Sequence, residues 1–260
     1  MLTRQRKELL LNLLKQDGRI VAKALSEQLG LSEDTIRRDL RELAREGLLQ
    51  RVHGGALPLP PSPAMGNFAQ RQQIAGEAKP AIGRAAAAMV EPGQVVFIDG
   101  GTTAVQLARA LPAELRATVV THSPSVALEL VEHAHIEVIL IGGRLFKHSI
   151  VAMGPAALEA IAQIRTDIYF MGVCSLDPQA GITTGDYDEA GVKRAISQAA
   201  RRTVVLASPE KLQTASPYQI APLSSVGAIV VHAGVDEALL APYRAMGIEV
   251  VVAGGNHLKA

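Results

Sequence analysis

Ser32-Glu33-Asp34-Thr35-Ile36-Arg37-Arg38-Asp39-Leu40 is the stretch that decides the first part of the architecture. Ser32 fits an N-cap, and Glu33 and Asp34 fall where the positive end of a helix dipole favours acids. At about 100° per residue, Ile36, Leu40 and Leu43 line one stripe, while Arg38, Arg41 and Arg45 face the other way. Thr35 and Arg37 flank the stripe near its start, and Gly47 closes the helix. Upstream, residues 4–16 carry Leu9, Leu10, Leu13 and Leu14 among polar side chains, an amphipathic helix ended by Asp17-Gly18. Arg19-Ile20-Val21 fits a short strand. A second helix follows, with Ala22, Leu25 and Leu29 on one side and Gly30 at its end. Two helices joined by a tight glycine turn, the second presenting Thr and Arg at its start, form a helix-turn-helix.

Arginine carries chemistry there because its planar fork can bind guanine O6 and N7 together and can neutralise phosphates. The bland alternative is a solvated face on which Asp34 and Glu42 pair weakly with the arginines. The agreement of helix, turn and capped helix favours DNA, with Ser32, Thr35, Arg37, Arg38, Arg41 and Arg45 as candidate contacts. Leu48 through Ala56 alternates up to Gly54-Gly55, a hairpin that would serve as a wing carrying Arg51 and His53 to the DNA backbone. His53 fits a plain polar turn residue equally well.

Leu57-Pro58-Leu59-Pro60-Pro61-Ser62-Pro63 then reads as a stiff extended linker, since proline fixes φ and removes an amide donor. The expected division is a winged helix-turn-helix over 1–57, a linker over 58–66 and a larger domain over 67–260. Charge divides the same way. The 260 residues sum to +1, but residues 1–54 hold 11 basic and 8 acidic side chains, leaving the remainder at −2. Apolar residues at 48% support sizeable cores, and charged residues at 20% argue against disorder. A single Cys174 excludes a disulfide framework and a cysteine-rich zinc site. The apolar runs are far shorter than the roughly 20 residues of a membrane span. With no leader pattern, a cytoplasmic protein is expected. Trp is absent and Phe and Tyr number four each, a poor basis for stacking bases or sugars.

From about residue 67, short β-branched runs alternate with helical patterns. Strands are expected at 95–99, 118–121, 136–141, 168–173, 203–207, 228–231 and 248–252, with helices at 104–110, 125–132, 156–163, 190–200 and 236–246. That alternation indicates a Rossmann-like, largely parallel sheet covered on both faces, which binds ligands at the carboxyl ends of its strands. After the first strand, Asp99-Gly100-Gly101-Thr102-Thr103 opens a helix: glycines admit a phosphate to backbone amides, and the helix end and hydroxyls favour it. Neither a P-loop nor a dinucleotide fingerprint is present, so no cofactor is expected. Asp99 would accept from a sugar hydroxyl or fix the loop. Other strand ends offer Thr121-His122-Ser123, Gly142-Gly143-Arg144 and Gly172, followed by Thr183-Thr184 and the acidic run Asp186 to Glu189. Glu189 and Lys193, read without context, make a surface pair one turn apart worth about 0.2–0.5 kcal/mol. Lys211 alone is an ordinary loop lysine. His133 and His135, two residues apart, do not share a helix face, so no metal is expected. Cys174 reads as a small core residue.

Ser32 through Leu40 with His53-Gly54-Gly55-Ala56 resembles the signature of DeoR-type bacterial transcriptional regulators. The resemblance extends through Asp99–Thr103, Gly142-Gly143, Gly154-Pro155, residues 167–172, Gly181–Thr184 and Glu189–Lys193. It implies a sensor domain related to ribose-5-phosphate isomerase that binds a phosphorylated sugar or polyol and controls binding to double-stranded operator DNA. By that resemblance the phosphate lies near Gly101, Thr102 and Thr103, with Lys193 and Lys211 as cationic partners. Asp99, Gly100, Ser123, Gly142, Gly143 and Glu189 complete the expected effector set. The family often has Asn at His122, and Asp before the Ser-Lys pair where this chain has Ala207-Ser208-Pro209-Glu210; both departures bear on which effector fits.

The implied role is repression of a carbohydrate or polyol operon by a homodimer or homotetramer, since operator half-sites are two-fold related. The competing reading is a sugar-phosphate isomerase-like enzyme. Asp99, Glu189 and Lys193 supply a base and a cation for enediolate chemistry. Against it, the isomerase's lysine-glycine-rich loop is missing and an enzyme needs no helix-turn-helix, so no catalysis is expected.

Overall fold

In the N-terminal part of the chain, α1 (Thr3–Asp17) leads into β1 (Ile20–Val21), α2 (Ala22–Leu29) and α3 (Glu33–Arg45), followed by the strands β2 (Gln50–Val52) and β3 (Gly55–Leu57). The computed structural model describes residues 3–17, 19–45, 49–52, 54–57 and 68–254. Gly18, Gly47, His53 and the proline-rich stretch 58–66 lie outside the described residues. The chain divides into two compact units, Met1–Ser62 and Pro63–Ala260.

The small unit closes on its leucine stripes. Leu10 and Leu14 of α1, Leu25 of α2, and Ile36, Leu40 and Leu43 of α3 form one core. Gly30 ends α2 in the left-handed region at φ 62°, where a side chain would be strained. The strands pair antiparallel in the order β1-β3-β2. One ion pair sits inside this core. Asp39 lies three residues beyond Ile36, on the same stripe, and is fully buried. Arg6, one turn before Leu10 on α1, meets it with two guanidinium nitrogens, Nε and Nη2, the latter 3.1 Å from Oδ1. The bond to Asp39 raises the Arg6 pKa despite the opposing effect of burial.

The large unit begins with α4 (Phe68–Gln73) and α5 (Ala78–Ala87). The chain continues through β4 (Val95–Ile98), α6 (Thr102–Ala110), β5 (Ala117–Thr121), α7 (Pro124–Glu129), β6 (Ile136–Leu140), β7 (Arg144–Phe146), β8 (Val151–Met153) and α8 (Pro155–Ala162). Then follow β9 (Thr166–Gly172), β10 (Ser175–Asp177), β11 (Gly181–Thr184), α9 (Tyr187–Ala199), β12 (Ala200–Leu206), β13 (Tyr218–Ala221), β14 (Ala228–His232), α10 (Glu237–Ala245) and β15 (Glu249–Ala253).

All seven expected strands are present and form one parallel sheet, ordered β15-β14-β12-β9-β4-β5-β6. Alternate residues feed two cores: Phe97, Tyr169 and Val205 pack on one face, Val96, Phe170 and Val204 on the other. Both faces are therefore covered, as near-continuous apolar strands require. On one face α5 lies against α6 at Gly83, where an added Cβ would stand 2.6 Å from the carbonyl carbon of Gln106. From β4 the chain steps outward to β5 and β6; from β9 it steps the other way through β12, β14 and β15. The reversal falls between β4 and β9, and their carboxyl ends meet there.

Three features were not expected from the sequence. The helices α4 and α5 precede the first strand. A β7–β8 hairpin and a three-stranded sheet, β10-β11-β13, decorate the carboxyl edge. Helix α9 begins at Tyr187 rather than Ala190, because the Asp186 carboxylate caps it by accepting from the Glu189 amide at 2.8 Å.

Candidate functional site

The small unit presents the arginines of α3 to solvent. Ile36, Leu40 and Leu43 are buried while Arg37, Arg38 and Arg41 are exposed, so the stripe sorts them as periodicity requires. Ser32 caps the helix, accepting from the Thr35 amide at 3.2 Å, and the two hydroxyls lie 2.8 Å apart. Arg37 donates to Glu33 at 2.7 Å one turn back, and Arg41 Nε reaches the Arg37 carbonyl at 3.3 Å. Glu42, expected among the arginines, pairs with Lys7 of α1 at 3.0 Å. Arg38 has no partner among the described residues, which leaves its exposed guanidinium available to a ligand. The side chains of Arg45 and Arg51, like all of His53, lie outside the described residues.

In the large unit a narrow cleft lined by several charged and hydroxyl side chains, partly open to solvent, lies at the carboxyl ends of β4 and β9. Gly100, Gly101, Thr102, Thr103, Glu189, Lys193 and Lys211, named from the sequence, come together along it. Gly101 caps α6 with φ 101° and no side chain, leaving the first amides of that helix open toward the cleft. Thr102 and Thr103 are buried in its first turn, and Thr103 Oγ1 has no hydrogen-bond partner. A buried hydroxyl beside open amides is the donor set an anion uses.

Asp99 does not line the cleft; it stands behind the wall, fully buried. Its Oδ1 accepts from the Gly100 amide at 2.7 Å and from His122 Nε2 at 2.8 Å. Its Oδ2 accepts from Tyr169 at 3.0 Å, from the Gly172 amide at 2.9 Å and from Lys193 Nζ. Of the two roles expected for it, fixing the loop is the one its geometry fits. Burial alone would raise the Asp99 pKa, but the Lys193 charge and the His122 contact outweigh it and hold the group far below the usual carboxylate range. His122 also reaches the Ala152 carbonyl at 3.1 Å, tying β5 to β8.

Glu189 and Lys193 are not the surface pair that spacing alone suggests. Both are buried and take different partners. Glu189 accepts from Ser149 at 3.0 Å and from Thr184. Lys193 bonds Asp99 and donates to the Gly172 carbonyl at 2.9 Å. Although burial works to lower the Lys193 pKa, Asp99 and Glu189 raise it.

Ser123, Gly142 and Gly143 do not line the cleft. Ser123 donates to the Ile150 carbonyl at 3.1 Å and so secures the loop that brings Ser149 inward. Gly142 and Gly143 lead into the β7–β8 hairpin, where a Cβ on Gly143 would stand 2.7 Å from the Met153 carbonyl oxygen. Cys174 is half-buried on the cleft wall rather than in the core, with Sγ 3.3 Å from Thr184 Oγ1. Arg71, Lys79 and Ser149 also line the cleft, and none was singled out from the sequence. Lys79 carried a usable signal, since 79, 82, 83 and 86 make one helical stripe whose other members are apolar; Arg71 carried none. Among the described residues no group of three or more His, Cys, Asp or Glu is placed to hold a metal ion, and no helix is long and apolar enough to cross a membrane.

Residues 6–59 match the DeoR-like helix-turn-helix domain, and residues 74–233 match the DeoR C terminal sensor domain. The HTH-type transcriptional regulator GlpR of Haloferax volcanii is 36% identical over 252 residues, covering 96% of this chain and 98% of that protein. The glycerol-3-phosphate regulon repressor of Escherichia coli K12 is 33% identical over 229 residues, covering 88% and 90%. A solved ribose 5-phosphate isomerase A from Methanocaldococcus jannaschii aligns with 51% of this chain and 52% of its own, at 17% identity and a TM-score of 0.36. With the sensor-domain match spanning more than half of the chain and a relative 36% identical over 96% of it, the chain belongs to the DeoR family of transcriptional regulators.

Proposed function

We propose that the protein is a repressor of a carbohydrate or polyol operon, and that an anionic, phosphorylated sugar-type effector in the cleft sets its affinity for operator DNA. The observation that carries the effector half is the open first turn of α6, with the unpartnered Thr103 hydroxyl, facing a cleft lined by four cationic side chains. A phosphate placed there gains backbone donors, the positive end of the helix dipole and ion pairs together. The DNA half rests on Arg38 and Arg41 on the exposed face of a capped second helix, with Ser32 and Thr35 at its start and Arg37, Arg45, Arg51 and His53 as further contacts. Two-fold operator half-sites make the active species a homodimer or a dimer of dimers.

The isomerase alternative loses one of its two candidate bases, while the other, Glu189, accepts from Ser149 and Thr184 on the cleft wall. Asp99 accepts from Gly100, His122, Tyr169, Gly172 and Lys193 and is fully buried, so it has no remaining position from which to take a substrate proton. The names of relatives put glycerol 3-phosphate first among effectors to try.

The test begins with duplexes selected by the protein from a random-sequence pool. Fluorescence anisotropy then measures affinity with and without glycerol 3-phosphate and a panel of hexose, pentose and tetritol phosphates. Arg38→Ala weakens binding, by about 1–3 kcal/mol if it reads a base. One effector changes wild-type affinity, and Thr103→Val blunts that change while leaving ligand-free affinity intact. Failure to select any duplex sinks the DNA reading, and silence across the panel sinks the effector reading.

A further inference from the structure

Two cations on the cleft wall come from helices that precede the sheet. Lys79, in the first turn of α5, is buried, and its ammonium donates to the Arg71 carbonyl of α4. Among the described residues no carboxylate lies within ion-pair distance of it. An ammonium removed from water without a carboxylate destabilises the empty state, and it is retained where something else supplies the charge.

Its surroundings add to that cost. Burial, then Lys211 and Arg71, push the Lys79 pKa down to about 8 against the pull of Glu210. The two cleft carboxylates are already engaged: Glu189 by Ser149 and Thr184, Glu210 by the Ser208 hydroxyl at 2.6 Å. Arg71 reaches across from α4 to the loop between β7 and β8, donating to the His148 carbonyl at 2.6 Å and meeting its ring. Burial first, then Arg71, lowers the His148 pKa. Arg71, Lys79 and Lys211 thus crowd together on the wall of the cleft that also carries the open turn of α6.

We propose that Arg71 and Lys79 are direct ligands of the effector's anionic group, and that the anion competes with His148 for the Arg71 guanidinium. This rests on the effector reading of the cleft and names the residues that complete it. It also supplies a route for regulation. Helix α4 is the first element of the large unit among the described residues, so an anion that draws on Arg71 acts at the end of that unit nearest in sequence to the small one. Occupancy is then read by the first turns of the large unit, ahead of any change in its sheet.

Inorganic phosphate is the probe, titrated into the full-length protein against chloride at equal ionic strength, with thermal unfolding as the readout. Wild type gains melting temperature with phosphate at millimolar concentration. Lys79→Met melts no lower than wild type without phosphate, because an uncompensated buried charge is gone, yet its apparent Kd for phosphate rises at least tenfold. Arg71→Gln raises that Kd similarly. Hydrogen exchange over residues 68–80 changes on phosphate addition in wild type and not in Lys79→Met. A lower melting temperature for Lys79→Met with unchanged phosphate affinity makes the lysine merely structural and overturns the proposal. Loss of the phosphate effect in Thr103→Val with full retention in both cation variants also overturns it, while leaving the effector reading standing. No stabilisation of wild type by phosphate or by any member of the sugar- and polyol-phosphate panel removes both.

Discussion

Replacing Asp99 with Asn tests how the cleft is held. The carboxylate takes Gly100 and His122 on one oxygen and Tyr169, Gly172 and Lys193 on the other. An amide must turn its NH2 toward one of those groups of donors, and in either orientation it takes from the buried Lys193 the negative charge it pairs with. Removing one partner of a buried ion pair costs about 3–5 kcal/mol. Lys193→Met is milder, about 1–3 kcal/mol, because Asp99 keeps four other donors. The double variant falls short of the sum by about 1–3 kcal/mol, since each single change already breaks the shared contact. Intrinsic fluorescence in a urea titration reports this cleanly. Trp is absent and all four tyrosines, at 169, 187, 218 and 243, lie in the large unit.

The pH profile follows from the same pair. Asp99 has a depressed pKa, so its contribution is present above the unfolded value near 4 and fades only as pH falls toward the folded one. Lys193 has a raised pKa, so its part is present below the unfolded value near 10 and fades as pH rises through the folded one. Between about pH 4 and 10 the pair's contribution is flat. The reasoning fails if Lys193→Met costs as much as Asp99→Asn, or if Asp99→Asn costs under about 1 kcal/mol.

Three further outcomes are expected. Asp39→Ala strands the buried Arg6 in the small unit and costs about 3–5 kcal/mol, measured by amide exchange in α1 and α3. Gly83→Ala pushes α5 off the Gln106 backbone and lowers stability by about 1–3 kcal/mol in the tyrosine-monitored titration. Lys79 reverses the usual lysine sign. With its folded pKa about 8, below the unfolded value, stability rises with pH from there toward the ordinary lysine range. A bound anion draws the proton back against Lys211 and Arg71 and alongside Glu210. Sulfate binding near pH 8.5 (about half a unit above that folded value) therefore takes up protons, read as a calorimetric heat that varies with buffer ionisation enthalpy. Buffer-independent heats would count against it.

One pattern accounts for much of what the sequence reading overlooked. Asp39 shares a stripe with Ile36, Leu40 and Leu43; Arg6 precedes Leu10 and Leu14 on another; Lys79 sits with Ile82 and Ala86; Glu189 and Lys193 sit with Val192 and Ile196. In each helix a charge occupies a position that periodicity assigns to the core, and each is buried. Charges on an apolar stripe are held by partners on other elements, and sequence does not say which. Arg71 had no such mark, since α4 is short and its residues range from half-buried to exposed.

The sequence alone determined the helix-turn-helix, the capped arginine helix and the seven parallel strands, because caps, glycine turns and apolar periodicity are local properties of the chain. It also determined that Gly100 to Thr103 would open a helix after the first strand of the sheet. Tertiary structure decided where the strand order reverses, and hence that β4 and β9 meet beneath the cleft. It decided as well that Asp99 faces Lys193, 94 residues on, rather than the cleft. It moved Ser123, Gly142 and Gly143 off the cleft wall and brought Arg71 and Lys79 onto it. Pairing across such separations is chosen by strand order and by the need to compensate buried charge, and neither has a local signature.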